Sequence, residues 1–505
     1  MIGARLESQL VHLPDYFAHH VLLTVGALLL GIAISLPLAG LAIRRPSLAG
    51  PMLGVASVVQ TIPGLALLAL MVPLLGRIGI VPALVALVLY SMLPVLRNAV
   101  TGALEVDPDV IEAARGIGMT EGQILMRVRF PLAAPVIVAG VRTAAVWTVG
   151  MATLSTPVGA TSLGNYIFSG LQTQNTEAVL LGCAGAAVLA ISLDGLIRLG
   201  EVAALRRDGR LAGVSILAFV LAVGLSLSPI LADESSGRPL VRVGAKTFTE
   251  QYVLVEAMAD RLRGAGFDVA IRDGLGSTVV FDALANDEID LYVDYSGTIW
   301  ANHMQRAETP SAEVVLEEMA RWLEERHGIR SLGALGFENA YALAMTRARA
   351  AALGVRTLGD LAQRSPELSI GGDYEFFARP EWIAVRDRYD LRFREERSFD
   401  STLMYTAVAE GHVDAISAFS TDGRIAAFDL VVLDDPLDAF PPYDAVLLLS
   451  ASAAERGDLV AVLEPLVGAI SDAAMREANR RVDLDGASVA DVGRDLARDL
   501  SNPDP

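Results

Sequence analysis

Six long apolar stretches fill most of the first 232 residues. Each stretch has about the twenty residues that a helix needs to cross the hydrocarbon core of a bilayer. Several contain glycine and proline, which spanning helices tolerate better than soluble ones. We therefore predict a six-span α-helical membrane domain over residues 1–232, with spans at His20–Ile43, Pro51–Leu75, Ile80–Leu96, Leu132–Leu154, Ala178–Leu199 and Leu211–Leu231. Residues 1–19 are too polar to span, and they predict an interfacial segment.

The arginines give the predicted orientation. In the six-span arrangement, Arg5 and Arg77 fall on one side of the membrane. Ten others fall on the opposite side: Arg44, Arg45, Arg97, Arg115, Arg127, Arg129, Arg198, Arg206, Arg207 and Arg210. The positive-inside rule places the larger set in the cytoplasm. The amino terminus and everything after Leu231 are then expected outside a bacterial inner membrane.

The charge balance separates two parts of the chain. Residues 1–232 contain 13 arginines and 11 acidic residues, whereas residues 233–505 contain 27 basic and 48 acidic residues. A strongly acidic second part argues against nucleic-acid binding. Cys183 is the single cysteine, which excludes a disulfide within the chain and a thiolate metal cluster. No GxxxxGK[ST] surrounds Lys246, so we expect no ATPase site and no cofactor bound by this chain.

One charged segment, residues 105–131, lies between the apolar stretches. Asp107, Pro108 and Asp109 are suited to a helix start, and glycines follow shortly after, which predicts a short helix–turn–helix knob. The spacing EAA-x3-G-x9-V-x-F-P resembles the cytoplasmic coupling loop of bacterial ABC-importer permeases. That resemblance implies contact with a separate ATPase subunit, which would bind ATP with Mg²⁺, through Glu112, Ala113, Ala114 and Gly118. The alternative is an ordinary solvated loop.

Arg142 lies inside the predicted fourth span, where an unpaired charge is costly. One interpretation is functional: Arg142 lines a translocation path or pairs with Asp194. The alternative is structural: Arg142 only fixes the packing of the helices. Downstream, Gly150–Leu171 resembles the segment after the coupling loop in permeases of the glycine-betaine importer group.

The second part reads as a linker, residues 233–239, followed by a soluble α/β domain, residues 240–505. Strands and helices alternate, which predicts two α/β layers, each with a parallel sheet. We expect residues 339–347 to cross between the layers and residues 438–450 to return. The carboxy-terminal helices are expected to close against the first layer. Two lobes joined by two crossings form a hinged clamp of the periplasmic-binding-protein kind.

Four motifs sharpen this interpretation: GAKTFTEQ, DLYVDYSGT, DYEFFARPEW and AFSTDGRI. In this order they resemble the substrate-binding proteins of importers for glycine betaine, carnitine and choline. Permease–binder fusions occur in that group, and some resemble ergothioneine importers. The resemblance implies a ligand with a quaternary nitrogen, which aromatic faces hold by cation–π attraction. Tyr295, Phe376, Phe377 and Phe419 are the candidate rings, although aromatics at strand ends are more often core residues.

The other end of such a ligand needs polar groups. Arg379 has the planar fork that clamps a carboxylate, but it can equally pair with a nearby acid. Gln251 and Thr298 are candidate donors, and Thr278, at a helix start, is a weaker one. Asp422 is a candidate acceptor or a local turn cap. Glu250 is expected to serve the helix start rather than the ligand.

The sequence thus predicts the membrane subunit of an ATP-driven importer, with permease and binding domain fused, and no enzymatic activity of its own. Its expected partners are a cytoplasmic ATPase dimer, a second copy of this chain, the lipid bilayer and a betaine-like solute, which the sequence does not specify further. The alternative from another class is a membrane-anchored sensor that uses the same clamp without transport. An enzyme is disfavoured because six His and one Cys form no recognisable catalytic or metal spacing.

Overall fold

The computed structural model describes residues 10, 12–173, 175–206, 208–232, 237–306, 308, 310–401 and 403–501. The described chain divides into two compact units, one made of apolar helices and one containing all ten described strands. The greater part of the predicted interfacial segment, and of the predicted linker 233–239, lies outside the described residues. Leu13–His19 continue without interruption into the first long helix.

Ten helices make up the amino-terminal part of the described chain. Five are long and apolar enough to cross a membrane, or six if one bent pair counts as a single span. In chain order the helices are α1 Leu13–Arg44, α2 Pro46–Thr61, α3 Gly64–Leu75, α4 Ile80–Leu104, α5 Pro108–Gly116, α6 Glu121–Ile124, α7 Phe130–Ala152, α8 Gly164–Gln172, α9 Thr176–Arg206 and α10 Gly209–Ala232. A π-helical turn, Leu125–Arg129, precedes α7, and a 3₁₀ turn, Thr153–Val158, follows it.

The second predicted span is broken rather than continuous. Helices α2 and α3 meet at an angle of 101°, so the prediction of one helix over Pro51–Leu75 was wrong. The break falls at Ile62–Pro63, where Ile62 has φ −71° and ψ 127°. A residue before proline is pushed out of the helical region, and proline has no N–H to continue the ladder.

Small residues let α4 and α7 approach closely. A Cβ placed on Gly140 would lie 2.6 Å from the Cβ of Asn98 and 2.7 Å from the carbonyl oxygen of Pro94. A Cβ on Gly102 would lie 2.8 Å from the Cβ of Val136. Packing of this kind is the usual basis of helix association in membranes, where burial from water provides no driving force.

Arg142 is paired within the membrane unit. Its Nε and Nη2 donate to the two carboxylate oxygens of Asp194 at 2.8 and 3.0 Å, and Nη1 donates to Glu201 at 3.2 Å. The predicted Asp194 partner is therefore present, and Glu201 is an addition. A paired charge of this kind joins α7 to α9 at the depth where an unpaired one would be costly.

The second unit is a two-lobed α/β domain. Its first lobe holds a sheet in the order β2-β1-β3-β10-β4, where β1 is Leu240–Lys246, β2 Asp268–Leu275, β3 Leu291–Tyr295, β4 Arg330–Glu338 and β10 Asp444–Leu449. The helices of this lobe are α11 Thr249–Gly264, α12 Ser277–Ala285, α13 Ala312–His327, α19 Ala451–Ala454, α20 Gly457–Leu463, α21 Asp472–Asp483 and α22 Val489–Ser501. Every residue of β3 is buried, as expected of a central strand covered on both faces.

The second lobe holds a sheet in the order β7-β6-β8-β5-β9. Its strands are β5 Tyr341–Thr346, β6 Ser369–Asp373, β7 Glu395–Phe399, β8 Ala415–Phe419 and β9 Leu430–Val432. Its helices are α14 Arg347–Leu353, α15 Leu358–Arg364, α16 Pro380–Tyr389, α17 Leu403–Ala409 and α18 Arg424–Ala427. Strand β9 is missing from the sequence-based prediction, and its three residues are too few to carry a periodic pattern.

Both sheets are mixed, which corrects the prediction of parallel sheets. Strand β10 runs antiparallel to β3 and β4, and β5 runs antiparallel to β8 and β9. These two strands follow the crossings between the lobes, so each enters its sheet against the direction of its neighbours. The two predicted crossings are present, and the first is completed within Asn339–Ala340, between β4 and β5.

The carboxy-terminal helices pack on the first lobe, as predicted. A Cβ on Gly493 of α22 would lie 2.6 Å from the Cβ of Glu256 and 3.0 Å from the backbone nitrogen of Ala257, both in α11. Val492, Leu496 and Ala497 belong to the same buried cluster as Val253 and Leu254. This packing fixes α11, whose amino-terminal end contributes to the site described next.

Candidate substrate-binding site

A cavity of about 170 Å³ lies between the two lobes of the second unit. A single buried water needs only about 10–15 Å³ by the same measure, so the cavity has room for a compact organic solute. Residues from both lobes and from both crossings line it, which places it where closure of a clamp would enclose a ligand.

Six aromatic side chains line the cavity, of which five form one group and the sixth, Tyr374, is largely exposed. Phe248, Tyr295 and Tyr443 come from the first-lobe side, and Tyr341 and Phe419 from the second lobe. Strand pairing explains the position of the last two, because Tyr341 and Phe419 are direct partners across β5 and β8, with ring centroids 4.9 Å apart. Residues paired directly across antiparallel strands lie on the same face of the sheet.

The remaining rings extend this pair into a continuous surface. The Tyr443 ring lies 5.6 Å from that of Tyr341, the Phe248 ring 6.2 Å from that of Phe419, and the Tyr295 ring 6.0 Å from that of Phe248. Tyr443 reaches this position because residue 297 is glycine: a Cβ there would lie 2.6 Å from the Tyr443 ring. The five rings present π-faces, which favour a cation without N–H donors.

Arg379 is the charged group of the cavity with free donors. Its Nη2 donates to Glu375 at 2.6 Å, and Nη1 lies 3.6 Å from a carboxylate oxygen of Glu381. Both Nε and Nη1 are buried and have no hydrogen-bond partner within the described part of the chain. The guanidinium also lies 5.5 Å from the centroid of the Tyr341 ring. A buried guanidinium with unused donors is suited to bind a carboxylate.

A buried ion pair forms another part of the wall. The Lys246 ammonium contacts a carboxylate oxygen of Asp294, and both side chains are almost fully buried. Asp294 also accepts from the Tyr292 hydroxyl at 2.5 Å and from the Tyr295 backbone N–H at 2.7 Å. Because it holds the backbone of Tyr295, this network fixes the ring at the end of β3.

Acidic side chains outnumber basic ones on the lining. Asp373, Glu375 and Asp400 face the cavity beside Lys246 and Arg379. Asp373 accepts from the backbone N–H groups of Glu375 and Phe376 at 2.8 and 3.0 Å and from the Tyr341 hydroxyl at 3.2 Å. Burial raises the pKa of Asp373 above its usual value. The charge distribution of the lining therefore favours a ligand that carries positive charge.

The structure brings together four of the nine predicted binding residues. Tyr295, Thr298, Arg379 and Phe419 all line the cavity. Gln251 does not: its side chain is buried behind the wall, where it donates to the Tyr295 hydroxyl at 3.1 Å and to the Val293 carbonyl at 3.1 Å. Gln251 therefore contacts a residue of the cavity wall rather than the cavity itself.

The other four predicted residues also lie off the lining. Phe376 is fully buried in the core, with its ring 5.4 Å from that of Tyr341, and Phe377 packs on Trp382 at 5.7 Å. Asp422 pairs with the Arg424 guanidinium at 2.5 Å and accepts from the Arg424 backbone N–H at 2.9 Å, so its contacts are local. Thr278 is exposed, and the preceding Ser277 reaches the cavity instead.

Sequence reasoning missed Phe248, Tyr341 and Tyr443 as wall residues. Tyr341 and Tyr443 lie next to the crossings, which the sequence located, and hinge-adjacent aromatics are a usable indication of a cleft residue. The DYEFFARPEW motif led instead to the prediction that Phe376 and Phe377 contact the ligand. Gly372 beneath it leaves no room for a Cβ, which would lie 2.8 Å from the Phe376 ring, so that ring packs inward onto the strand.

The segment after α4 forms the predicted knob. Asp107 caps α5 by accepting from the Asp109 N–H at 2.9 Å, and Thr120 and Gln123 form a capping box on α6. Gly118 joins the helices with φ +86°, a conformation that favours glycine. Ala114 is buried against Ile111 and Ile124, whereas the predicted coupling residues Glu112, Ala113 and Gly118 are exposed.

The fold and cavity define a two-lobed solute-binding domain joined to a helical membrane domain, and comparison with known proteins gives the family. Residues 239–498 match the family described as the substrate-binding domain of the ABC-type glycine betaine transport system, and residues 28–202 match the binding-protein-dependent transport system inner membrane component.

Individual relatives agree with both assignments. The chain is 32% identical over 466 residues to the ergothioneine transport permease/ergothioneine binding protein EgtU of Helicobacter pylori (strain G27), covering 89% of this chain and 83% of the relative. It is 41% identical over 182 residues to the choline transport system permease protein OpuBB of Bacillus subtilis (strain 168), covering 36% and 83%. It is 32% identical over 274 residues to a glycine-betaine-binding protein of Pseudomonas aeruginosa, covering 51% and 87%.

The chain therefore belongs to the family of ABC importers that fuse a permease to a substrate-binding domain of the glycine betaine group. It is a transporter subunit and not an enzyme, and ATP hydrolysis takes place on a separate ATPase subunit. It is a multi-pass inner-membrane protein whose binding domain is extracytoplasmic.

Proposed function

We propose that this importer subunit takes up a compact solute with a quaternary ammonium at one end and a carboxylate or other acceptor group at the other. The observation that carries the proposal is the combination, in one cavity, of five aromatic rings with two Arg379 donors, Nε and Nη1, that make no hydrogen bond to the described residues. Each feature matches one end of such a solute. The ergothioneine and choline named for the two permease relatives, and the glycine betaine named for the binding-protein relative, fit this chemistry.

The ring end selects for a cation that cannot donate hydrogen bonds. Cation–π attraction contributes about 0.5–2 kcal/mol per ring when the cation is desolvated. Tyr295 and Phe419 come from different lobes, so a cation held between them favours the closed clamp. A ligand shifts a conformational equilibrium only by its difference in affinity for the two states, and contacts made from both lobes supply that difference.

The Arg379 end distinguishes among such cations. Thr298 and Asn339 also line the cavity, and Asn339 has a buried side-chain oxygen without a hydrogen-bond partner among the described residues. A carboxylate would use the guanidinium, and a hydroxyl or ring N–H would use the amide oxygen. Glycine betaine, carnitine, choline and ergothioneine differ in these groups, so the affinity order among them reports which polar group is used.

We also propose the route by which the ATPase acts on the membrane unit. Glu112, Ala113 and Gly118 are exposed on the knob, and Ile117 beside them is 81% exposed. An exposed isoleucine between two glycines, Gly116 and Gly118, is suited to a groove on the partner ATPase, which binds ATP with Mg²⁺. The knob is stabilised by its own small core and by caps at both helices, so it can transmit force as a rigid element.

Two copies of this chain would build the complete pore. The described chain contributes at most six spans, which is half of the pore in importers of this group. An ATPase dimer supplies two equivalent docking grooves, and two equivalent knobs would fill them in a C2-symmetric assembly.

Calorimetric titration of the full chain in lipid nanodiscs tests the proposed solute class. The panel is glycine betaine, choline, carnitine, proline betaine and ergothioneine, with Phe419→Ala and Tyr341→Ala beside the wild type. We expect one or more members to bind, and each substitution to weaken binding by about two- to thirtyfold. Absence of binding to every member of the panel would overturn the solute class.

A further inference from the structure

A buried carboxylate lies directly behind the aromatic wall. Glu250, near the start of α11, is only 2% exposed, and one of its oxygens accepts from the Tyr295 hydroxyl at 2.5 Å and from the Asn339 amide at 3.0 Å. The other oxygen accepts from the Thr421 hydroxyl at 2.6 Å and from the Asn479 amide at 3.1 Å. The sequence suggested only a helix-start role for Glu250, and these four bonds show a different one.

The four donors match the ionised form of Glu250. A carboxylate has about four acceptor positions and no donor, whereas a protonated carboxyl would direct an O–H at one of the groups that now donate. Burial raises the pKa of Glu250 above its usual value, and the four hydrogen bonds offset only part of that effect, with no cation among the groups that act on it. The carboxylate is therefore stabilised by neutral dipoles, and its charge is not cancelled by a bound counter-ion.

The other charged groups near Glu250 leave this negative charge in place. Asp422, Arg424 and Asp483 line the same small cavity behind the wall. Arg424 is engaged by Asp422 at 2.5 and 2.8 Å, and Asp483 accepts from the Thr249 hydroxyl at 2.7 Å. Together these three side chains bring two acids and one base, so they add negative charge rather than removing it.

We propose that Glu250 is a specificity-determining residue, a fixed anion that orients the Tyr295 ring and favours a cationic ligand over a neutral ligand of the same shape. The inference rests on the solute class proposed above. The phenol that donates to the carboxylate becomes richer in electrons, which strengthens attraction of a cation to the ring face. The anion also attracts the cation directly, through protein where the effective dielectric constant is far below that of water.

The origins of the four donors give Glu250 a second effect. Tyr295 ends β3 in the first lobe, Asn339 lies in a crossing, Thr421 follows β8 in the second lobe, and Asn479 lies in α21. The carboxylate accepts all four hydrogen bonds only when these four elements are in the arrangement seen in this structure. Glu250 therefore couples the position of a ligand-binding ring to the arrangement of the lobes.

The experiment compares isosteric ligands on the full chain in lipid nanodiscs. Choline is paired with 3,3-dimethylbutan-1-ol, and glycine betaine with 3,3-dimethylbutanoate, in which carbon replaces the quaternary nitrogen. For Glu250→Gln we expect choline or glycine betaine to lose about tenfold or more in affinity. Uncharged 3,3-dimethylbutan-1-ol is expected to change by less than about threefold, because it carries no charge. The anionic 3,3-dimethylbutanoate is expected to lose no affinity, because its carboxylate is repelled by Glu250 in the wild type.

Tyr295→Phe is the second variant and keeps the test decisive if Glu250→Gln does not fold. It retains the ring and the anion and removes the hydroxyl, which donates to Glu250 and accepts from Gln251, so we expect a smaller loss that again falls on the cationic ligands. Equal losses for cation and isostere, or no loss at all, would overturn the inference. Failure of the proposed solute class is a separate result, namely a wild-type protein that binds no member of the five-solute panel.

Discussion

Replacing Arg379 by methionine should separate ligands that carry a carboxylate from those that do not. Methionine keeps an unbranched stem in the cavity wall and removes the guanidinium. Nε and Nη1, which make no hydrogen bond to the described residues, are the groups that we expect to bind a ligand carboxylate. A hydrogen bond to a charged group contributes about 1.5–3 kcal/mol, so the loss of two amounts to roughly 3–6 kcal/mol. Glycine betaine should bind about a hundredfold more weakly or worse.

Choline supplies the internal reference for this prediction. The substitution also removes a positive charge 3.6 Å from the buried Glu381, which lowers the stability of the closed lobes whatever ligand is present. This loss of stability lowers the affinity for choline and for glycine betaine equally. A change in the ratio of their dissociation constants therefore reports only the loss of the contact between Arg379 and the ligand carboxylate. We expect this ratio to change by about a hundredfold, measured by calorimetry on the full chain.

Arg386→Met is the matched control, in the helix that begins directly after Arg379. Arg386 lies on the surface of α16 beside exposed Asp387 and is 42% exposed, so its removal should change either affinity by less than about twofold. If Arg379→Met weakens choline and glycine betaine to the same extent, Arg379 is a structural residue and the carboxylate clamp is refuted.

Three further predictions concern other parts of the molecule. Gly140→Ala should lower the thermal stability of the membrane unit, because the added Cβ would lie 2.6 Å from the Cβ of Asn98 and 2.7 Å from the carbonyl oxygen of Pro94. Gly195→Ala is the control and should leave the melting temperature unchanged, because a Cβ at residue 195 has no neighbour within 4 Å. Equal melting temperatures for the two variants would contradict this packing. Glu112→Lys on the exposed knob should abolish co-purification of the ATPase while leaving solute binding unchanged, and intact co-purification would remove Glu112 from the docking surface. Burial raises the pKa of Asp483 to about 6, so the stabilising contribution of its protonated form is present below about pH 4 and lost as the pH rises through 6. Amide hydrogens in α21 should therefore lose protection from exchange over that pH range in the wild type, and less so in Asp483→Asn. Identical pH profiles for the two proteins would refute this prediction.

Sequence reasoning predicts the fold well wherever a periodic pattern extends over a whole element. The long apolar runs give the spanning helices, and the alternation of strands and helices gives the two α/β lobes. It fails where direction or a break is decided by tertiary geometry. The antiparallel course of β5 and β10 follows from the crossings, and the 101° bend at Pro63 was hidden by a hydropathy that stays high on both sides.

The binding site was predicted less completely than the fold, because its lining is also decided by tertiary geometry. A motif identifies which residues are unusual, but only the pairing of strands decides which of them face the cavity. Tyr341 and Phe419 face it together because they are cross-strand partners, whereas Phe376 points into the core behind them. Glu250 was undervalued because its four donors come from positions up to 229 residues away in the sequence.

ATP-dependent uptake is the measurement that tests the central claim most directly. The full chain would be reconstituted in proteoliposomes with its ATPase, and the solute that binds most tightly in the calorimetric panel would be supplied in labelled form on the side of the binding domain. The account predicts accumulation that requires ATP and is lost in Glu112→Lys, although that variant still binds the solute. Tight solute binding and a bound ATPase without any accumulation would contradict transport and leave a membrane-anchored sensor as the function of the clamp.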